Sequence, residues 1–349
     1  MSVGRASPRG VIVLYNVTES LVKGEPHDLI AERGVIACAE AVGAALAERG
    51  YAVQLLPVAG AVEEALAPYP AARYAVFNLA EGLGGRLFEE ARIAFLLEAM
   101  GYPFTGCDGV ALALGANKAR AKAVLAAAGV PVPSAALYRH ADDVPDVPLT
   151  CPLIVKPVAE DASQGIDERA VVRTARALRE RVAYVTERYH QGALAEEFVD
   201  GREFNIALWG DPNPAVLPLA EVDLSAFADP LERIVSFAAK WETGSFPYEH
   251  TPVTCPAEVH PALGARIAEV ARRAYRALGC RDYARVDMRV APDGTPYVIE
   301  VNPNPDLSPD AGFFRAARAG GHTYGTMVEH ILHMALERGE AYGIAGNRG

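Results

Sequence analysis

The chain of 349 residues has no paired cysteines, no basic block and no long apolar run. Five cysteines (Cys38, Cys107, Cys151, Cys255 and Cys280) are scattered, odd in number and never spaced C-x-x-C. That excludes a disulfide framework and a zinc site, and fits free thiols in a reducing compartment. Net charge is −11 with both signs mixed along the chain, which leaves no electrostatic footprint for nucleic acid. The longest weakly polar stretch, residues 35–47, contains Glu40 and is too short to span a bilayer. The first ten residues are polar and do not read as a signal peptide. A soluble, cytoplasmic protein with neither nucleic-acid nor membrane partners is expected. Three nucleotide or nucleophile motifs are missing as well. Gly82-Leu-Gly-Gly lacks the third glycine of a dinucleotide fingerprint, no Walker-type G-x-x-x-x-G-K-[ST] occurs, and Asp161-Ala-Ser163-Gln-Gly165 lacks the first glycine of a nucleophile elbow.

What is present is globular: 51% hydrophobic and 22% charged, over a length that calls for more than one core. Gly10-Val-Ile-Val-Leu-Tyr15 reads as a buried strand, followed by a polar loop and a helix over 29–49. Further strands are expected at 51–56 and 74–79, and a helix at 87–100. Strand and helix in alternation point to an α/β arrangement with a parallel sheet, whose ligands collect at the carboxyl ends of the strands. The loops carrying Asn16, Thr18, Glu19 and Glu81 lie there.

The most informative stretch runs from Tyr283 to Pro305. Two alternating runs flank Ala291-Pro292-Asp293-Gly294, which is turn chemistry. Centring the hairpin on Asp293-Gly294 sets Asp287 opposite Glu300 and Arg285 opposite Asn302. Residues two apart share a face. Arg285, Asp287, Glu300 and Asn302 therefore gather on one side, and Val286, Met288, Ile299 and Val301 on the other. Facing carboxylates repel unless the face is solvated or a cation lies between them. Two carboxylates and an amide suit a hard cation such as magnesium. Pro303 and Pro305 stiffen the exit and hold Asn304 and Asp306.

Other residues carry weaker signals. Asn117 is placed to cap a helix whose first turn holds Lys118 and Arg120, against the helix dipole; this is either a plain surface helix or a seat for an anion. Lys156 ends an apolar strand and is expected to emerge into a site or solvent. The small-residue loop after it, with Ser163 and Gly165, can bring backbone N–H groups to a phosphate, or be a plain loop. Residues 193–199 and 202–209 flank Asp200-Gly201 and read as a hairpin with Glu196, Glu197 and Glu203 at its turn end. Residues 224–254 are irregular, with Lys240-Trp241 in the middle, as mobile or functional loops are. His330 and His333 share a helix face with no third ligand nearby and read as surface residues.

These pieces together resemble the ATP-grasp superfamily, and most of all its D-alanine–D-alanine ligase branch. The resemblance covers about residues 74–336. It is carried by Gly101-Tyr-Pro-Phe-Thr-Gly106, Asn117-Lys118, Ile154-Val-Lys156-Pro157, Glu160-Asp-Ala-Ser163-Gln-Gly165, Glu196-Glu-Phe-Val-Asp-Gly-Arg-Glu203, Ala239-Lys240-Trp241, Arg285-Val-Asp287 and Glu300-Val-Asn302-Pro. It implies an α/β (α+β) ATP-grasp fold in three parts: an N-terminal parallel α/β domain (1–112), a central lid domain (113–197) and a C-terminal domain with an antiparallel sheet (198–349). It also implies that Lys118 and Lys156, with the Ser163 loop, hold ATP phosphates. Glu196, Glu197 and Val199 would meet the adenine edge and Glu203 the ribose. Lys240 would reach the γ-phosphate from a closing loop. Asp287, Glu300 and Asn302 would bind two Mg2+ ions, and Arg285 would stabilise charge at the reacting centre. The implied reaction joins a carboxylate to an amine at the cost of ATP, on small amino-acid-like substrates. Related ligases are often dimers, so a homodimer is implied too.

Departures from the family pattern fall on the amino-acid side. Where the family has Gly-Gly-x-Ser-x-Glu after the first strand, this chain has Tyr15-Asn16-Val-Thr18-Glu19-Ser20. Its His-Gly is Glu81-Gly82 here, and its Ser-Pro-Gly is Asn304-Pro305-Asp306. Glu19, Glu81, Asn304 and Asp306 are thus the expected substrate-side residues. Three carboxylates around one small cavity call for a substrate that carries positive charge. Three readings follow: a ligase with substrates other than two D-alanines, a D-alanine–D-alanine ligase with a drifted pocket, and a nucleotide-binding protein that no longer turns over. The full set of transfer-side residues speaks against the last.

Overall fold

A computed structural model describes residues 10–18, 21–83, 86–147 and 152–341. The first sheet is parallel, in the order β2-β1-β3, from β1 (Gly10–Asn16), β2 (Val53–Val58) and β3 (Tyr74–Asn78). Every residue of β1 is buried, as a strand covered on both faces requires, and that is why it reads as an unbroken apolar run. One face packs on α1 (Leu29–Glu48) and α11 (Tyr324–Ala341), through Val35, Val42, Leu46, Val328 and Ile331. The other packs on α2 (Val62–Leu66), α3 (Glu89–Ala99) and α4 (Gly109–Gly115), through Leu66, Ile93, Leu97 and Leu112.

The second sheet is antiparallel, in the order β4-β7-β5-β6: β4 (Ala135–Tyr138), β5 (Leu153–Pro157), β6 (Val171–Val172) and β7 (Ala193–Glu197). It is covered by α6 (Ala175–Tyr189), which buries Leu178, Val182 and Val185. Thr174 starts that helix by accepting the Ala177 N–H, and His190 ends it in a left-handed conformation. The third sheet, also antiparallel, runs β11-β10-β8-β12-β13, with β9 (Ala215–Val216) added to β8. Its strands are β8 (Arg202–Trp209), β10 (Ala220–Val222), β11 (Val253–Thr254), β12 (Tyr283–Val290) and β13 (Pro296–Asn302). Behind it lie α5 (Lys118–Ala127) and α9 (Pro261–Ala277), whose Ile267, Val270 and Ala274 join Ile206, Val286 and Met288 in one core. The remaining helices are α7 (Phe237–Trp241), α8 (Phe246–Glu249) and α10 (Gly312–Ala319). Among the described residues no helix is long and apolar enough to cross a membrane.

The hairpin expected at Asp200-Gly201 does not form. β7 belongs to the second sheet and β8 to the third, so the two runs have no ladder between them. The glycine serves a crossing instead of a turn: a Cβ at Gly201 would lie 2.0 Å from the Val290 carbonyl oxygen. Alternation alone cannot tell a strand's neighbour, only that it has one covered face.

Candidate active site

The β12–β13 hairpin pairs Asp287 with Glu300 and Arg285 with Asn302, in the register read from its turn. One detail differs. The register shifts by one residue after Asp287, so that Met288 faces Val298. Val298 is fully buried and takes the core place expected for Ile299, which turns to line the cleft instead. An extra residue in one strand bends it and re-aims its side chains.

Asp287 is held on every side. Arg285 grips it with two parallel bonds, Nε to Oδ1 at 2.8 Å and Nη2 to Oδ2 at 2.9 Å. Asn302 Nδ2 donates to Oδ2 at 3.1 Å, and Asn205 Nδ2, from the neighbouring β8, donates to Oδ1 at 2.8 Å. Glu300 meets a different partner: the Lys118 ammonium, 2.5 Å from its Oε1 and 3.1 Å from Asp161. The anion at the start of α5 is thus the protein's own. Burial would push the Glu300 carboxyl up, but Lys118, with Lys156 and Lys240 behind it, outweighs burial and holds it at about 2. Glu300 Oε1 is buried, with Lys118 as its charge partner and no further hydrogen bond. Asn302 commits its amide nitrogen to Asp287 and keeps its oxygen. Among the described residues no three His, Cys, Asp or Glu side chains cluster around a metal position. The hairpin offers two carboxylates, already engaged by Arg285, Asn205, Asn302 and Lys118, and an amide oxygen, a set that suits magnesium sharing its shell with phosphates and not a metal caged by protein alone.

Lys156 emerges at its strand end into the cleft, not into solvent. It is buried, 3% exposed, with its ammonium 2.9 Å from Glu196 Oε2. Glu196 is 1% exposed, and its other oxygen lies 3.2 Å from Lys122. Lys122 escaped the sequence reading, although it stands four residues after Lys118 and so on the same helix face. Asn205 was missed too; its parity with Glu203 on β8 was the available signal.

The cleft between the second and third sheets has about 390 Å3 of internal space. Lys118, Lys156, Glu196, Glu197, Val199, Glu203, Lys240, Arg285, Asp287 and Glu300 all line it. Ser163 lines it as well, in a loop where Ala162 and Ser163 have φ of 53° and 62°. Three bonds from the 224–254 segment clasp that loop: Ser163 Oγ donates to Val235 O at 2.8 Å, Phe237 N to Ile166 O at 2.9 Å and Trp241 Nε1 to Ala162 O at 3.0 Å. Strained residues of this kind persist only when the surroundings fix them. Lys240, in the last turn of α7, is exposed at the mouth of the cleft, whose walls and, after them, the nearby Arg285 push its pKa down. Glu203 is paired with Arg289 Nε at 2.8 Å.

A small pocket with about 20 Å3 of free space adjoins the cleft, and Asp306 lines both. Glu81 and Asn304 line it too, so the structure brings three of the four substrate-side residues together; Glu19 lies outside the described residues. The Glu81 N–H donates to Asn16 Oδ1 at 2.9 Å, tying the loops after β1 and β3. Asp306 accepts from Ser308 N and Oγ at 2.8 and 2.6 Å, which fixes its direction. Asn304 accepts the Cys107 N–H at 2.9 Å and donates to Glu90 Oε1 at 3.3 Å. Glu90 is a further carboxyl in the pocket. Burial first, then the charges of Asp161 and Glu81, push its pKa well above the carboxylate range. At the start of a helix a glutamate is ordinary, so no sequence signal marked it. Asn78, fully buried, also lines the pocket, and its amide nitrogen has no hydrogen-bond partner.

Comparison with known proteins follows this geometry. A family model described as the D-ala D-ala ligase C-terminus matches residues 125–333. A D-alanine–D-alanine ligase of Desulforudis audaxviator is 36% identical over 327 residues, covering 89% of this chain and 96% of the relative. An uncharacterized protein y4sG of Sinorhizobium fredii is 34% identical over 314 residues, covering 88% and 90%. The crystal structure of a D-alanine–D-alanine ligase from Bacillus anthracis, complexed with ATP, superposes with a TM-score of 0.73 at 20% identity, over 97% of this chain and all of the other. The fold is thereby the ATP-grasp fold, and the chain belongs to the D-alanine–D-alanine ligase family of ATP-grasp ligases, which form carbon–nitrogen bonds.

Proposed function

We propose that the protein is an ATP-dependent carboxylate–amine ligase whose substrates are small and amino-acid-like but are not two D-alanines. The observation that carries the first half is the convergence of Lys118, Lys156 and Lys240 with Arg285, Asp287 and Glu300 on one cleft, with Asn302 bonded to Asp287 beside it. In this reading the three segments 1–112, 113–197 and 198–349 act as substrate domain, lid and metal-bearing domain. Lys118 and Lys156 take nucleotide phosphates, with the Ser163 loop beside them, and Lys240 approaches the γ-phosphate from the 224–254 lid. Glu196, Glu197 and Val199 lie along the base end, and Glu203 stands where a ribose would. Asp287, Glu300 and the Asn302 amide oxygen hold magnesium, with two ions expected; bound there, the metal neutralises phosphate charge. Lys118 then leaves Glu300 for phosphate.

The chemistry takes two steps. A substrate carboxylate oxygen attacks the γ-phosphorus, the bond to the β-phosphate oxygen breaks, and ADP leaves. An amine then attacks the acyl carbon, phosphate departs with the carbon–oxygen bond pair, and the amine gives up a proton. Arg285 stands where charge develops on the reacting carboxyl. Positioning and cations do most of the work in phosphoryl transfer.

The second half rests on Glu81, Asn304 and Asp306, which stand where the family has other residues and line one small pocket together. Carboxylates so placed raise one another's proton affinity unless a cation joins them. The substrate is expected to bring an ammonium there, and the free space of about 20 Å3 suits a group the size of a water molecule, not a guanidinium. The test is phosphate release with ATP against amino acids singly and in pairs, followed by mass spectrometry of products from a pooled reaction. Turnover with D-alanine alone would replace this reading by a D-alanine–D-alanine ligase. No turnover with any pair would leave a nucleotide-binding protein.

A further inference from the structure

Lys122 has no part in the roles above, yet it is one of the most costly side chains in the molecule to bury. Its side chain is 7% exposed, that of Lys156 4% and that of Glu196 1%. Two ammoniums share one carboxylate: Lys122 lies 3.2 Å from Oε1 and Lys156 2.9 Å from Oε2. Lys122 also donates to the carbonyl of Ile299, the residue displaced by the bulge in β13, at 3.4 Å. If Lys156 were the only partner of Glu196, the pair would be neutral and closed. Moving Lys156 onto a phosphate would then strand a buried carboxylate, and an unpaired buried charge is among the largest penalties a fold can meet. A second ammonium removes that obstacle, because Glu196 keeps a cation when the first one leaves.

We propose that Lys122 is a positioning residue for nucleotide binding: it holds the charge of Glu196 so that Lys156 is free to move onto phosphate. This rests on the reading of Lys156 as a phosphate ligand. The crowding is visible in Lys122 itself. Burial, and behind the opposing pull of Glu196 the charge of Lys156, bring its pKa down to about 8. Transfer of Lys156 to an anion relieves that crowding, so the cluster is poised to release it.

The test uses Lys122→Met, Lys122→Arg, Glu196→Gln and the double variant Lys122→Met/Glu196→Gln in the full chain. Magnesium-ADP binding is measured by calorimetry, KM for ATP and kcat by phosphate release, and folding by melting without nucleotide. Lys122→Met should weaken Kd and raise KM on the order of tenfold or more, with kcat at saturating ATP little changed. Its melting temperature should hold, since the remaining Lys156–Glu196 pair is balanced. Lys122→Arg should recover most of the affinity. The double variant should lose less than the sum of its singles, because removing the carboxylate frees Lys156 again. Unchanged Kd in Lys122→Met overturns the proposal, as do additive losses or a fall in melting temperature without a change in Kd. A wild-type protein that binds no magnesium-nucleotide would instead sink the ligase reading, and the role of Lys122 with it.

Discussion

Replacing Glu300 with glutamine tests the metal face and the electrostatics of the cleft in one variant. The Glu300 carboxyl sits at about 2 against an ordinary 4.5, because Lys118 and the lysines behind it outweigh the cost of burial. At about 1.4 kcal/mol for each factor of ten in proton affinity, that difference corresponds to roughly 3 kcal/mol of folding stability at neutral pH. A depressed carboxylate contributes above its unfolded pKa and loses its contribution as pH falls through the folded one. The wild type should therefore exceed Glu300→Gln by up to about 3 kcal/mol at pH 7, by less below pH 4.5, and by nothing near pH 2. Asp161 and the Glu160 carbonyl still face Lys118 in the variant, which makes that figure an upper value. Urea denaturation without metal or nucleotide, at pH 7 and at pH 3.5, reads the difference. Adding magnesium-ADP at about a hundred times its Kd should then stabilise the wild type by about 2.7 kcal/mol and the variant far less. Turnover should be lost as well. If Glu300→Gln is as stable as the wild type at pH 7 and gains equally from magnesium-nucleotide, neither the ion pair nor the metal assignment survives.

Three further outcomes are expected. Lys240→Ala should lower kcat with little change in melting temperature, since the side chain is exposed on a short helix; a large stability loss with kcat intact would make it a structural lysine. Glu81→Gln and Asp306→Asn, made separately, should each raise KM for the ammonium-bearing substrate and leave KM for ATP alone; a rise in KM for ATP in both, or a best substrate without a cation, contradicts the pocket. Arg338→Met should cost about 3 kcal/mol in urea denaturation, because it strips the buried Asp282 carboxylate of its ion-pair partner and leaves it the Gly106 N–H and the charge of Arg281, and a loss near zero would show that Asp282 is already neutral.

The sequence by itself determined whatever depends on neighbours along the chain. Alternation around an Asp-Gly turn put Asp287 across from Glu300 and Arg285 across from Asn302, and the folded hairpin keeps those pairs because the bulge after Asp287 makes up for a ladder that runs one residue out of that register beside the turn. The unbroken apolar run of β1 declared a strand buried on both faces, and the order of short motifs from Asn117 to Asn302 declared the family. Tertiary structure decided the rest. Whether residues 193–209 form one hairpin or two strands of different sheets depends on where Val290 packs against Gly201, and no local pattern carries that. The bulge that exchanges Ile299 for Val298 in the core appears only in the folded hairpin. The partners of the buried charges are the clearest case. Lys118 finds Glu300, Lys122 and Lys156 divide Glu196, and Asn304 reaches Glu90. Each of those pairs joins elements far apart in the chain. A buried charge takes whichever opposite charge or dipole the packing of helix on sheet brings within about 3 Å, and only the folded chain supplies that distance.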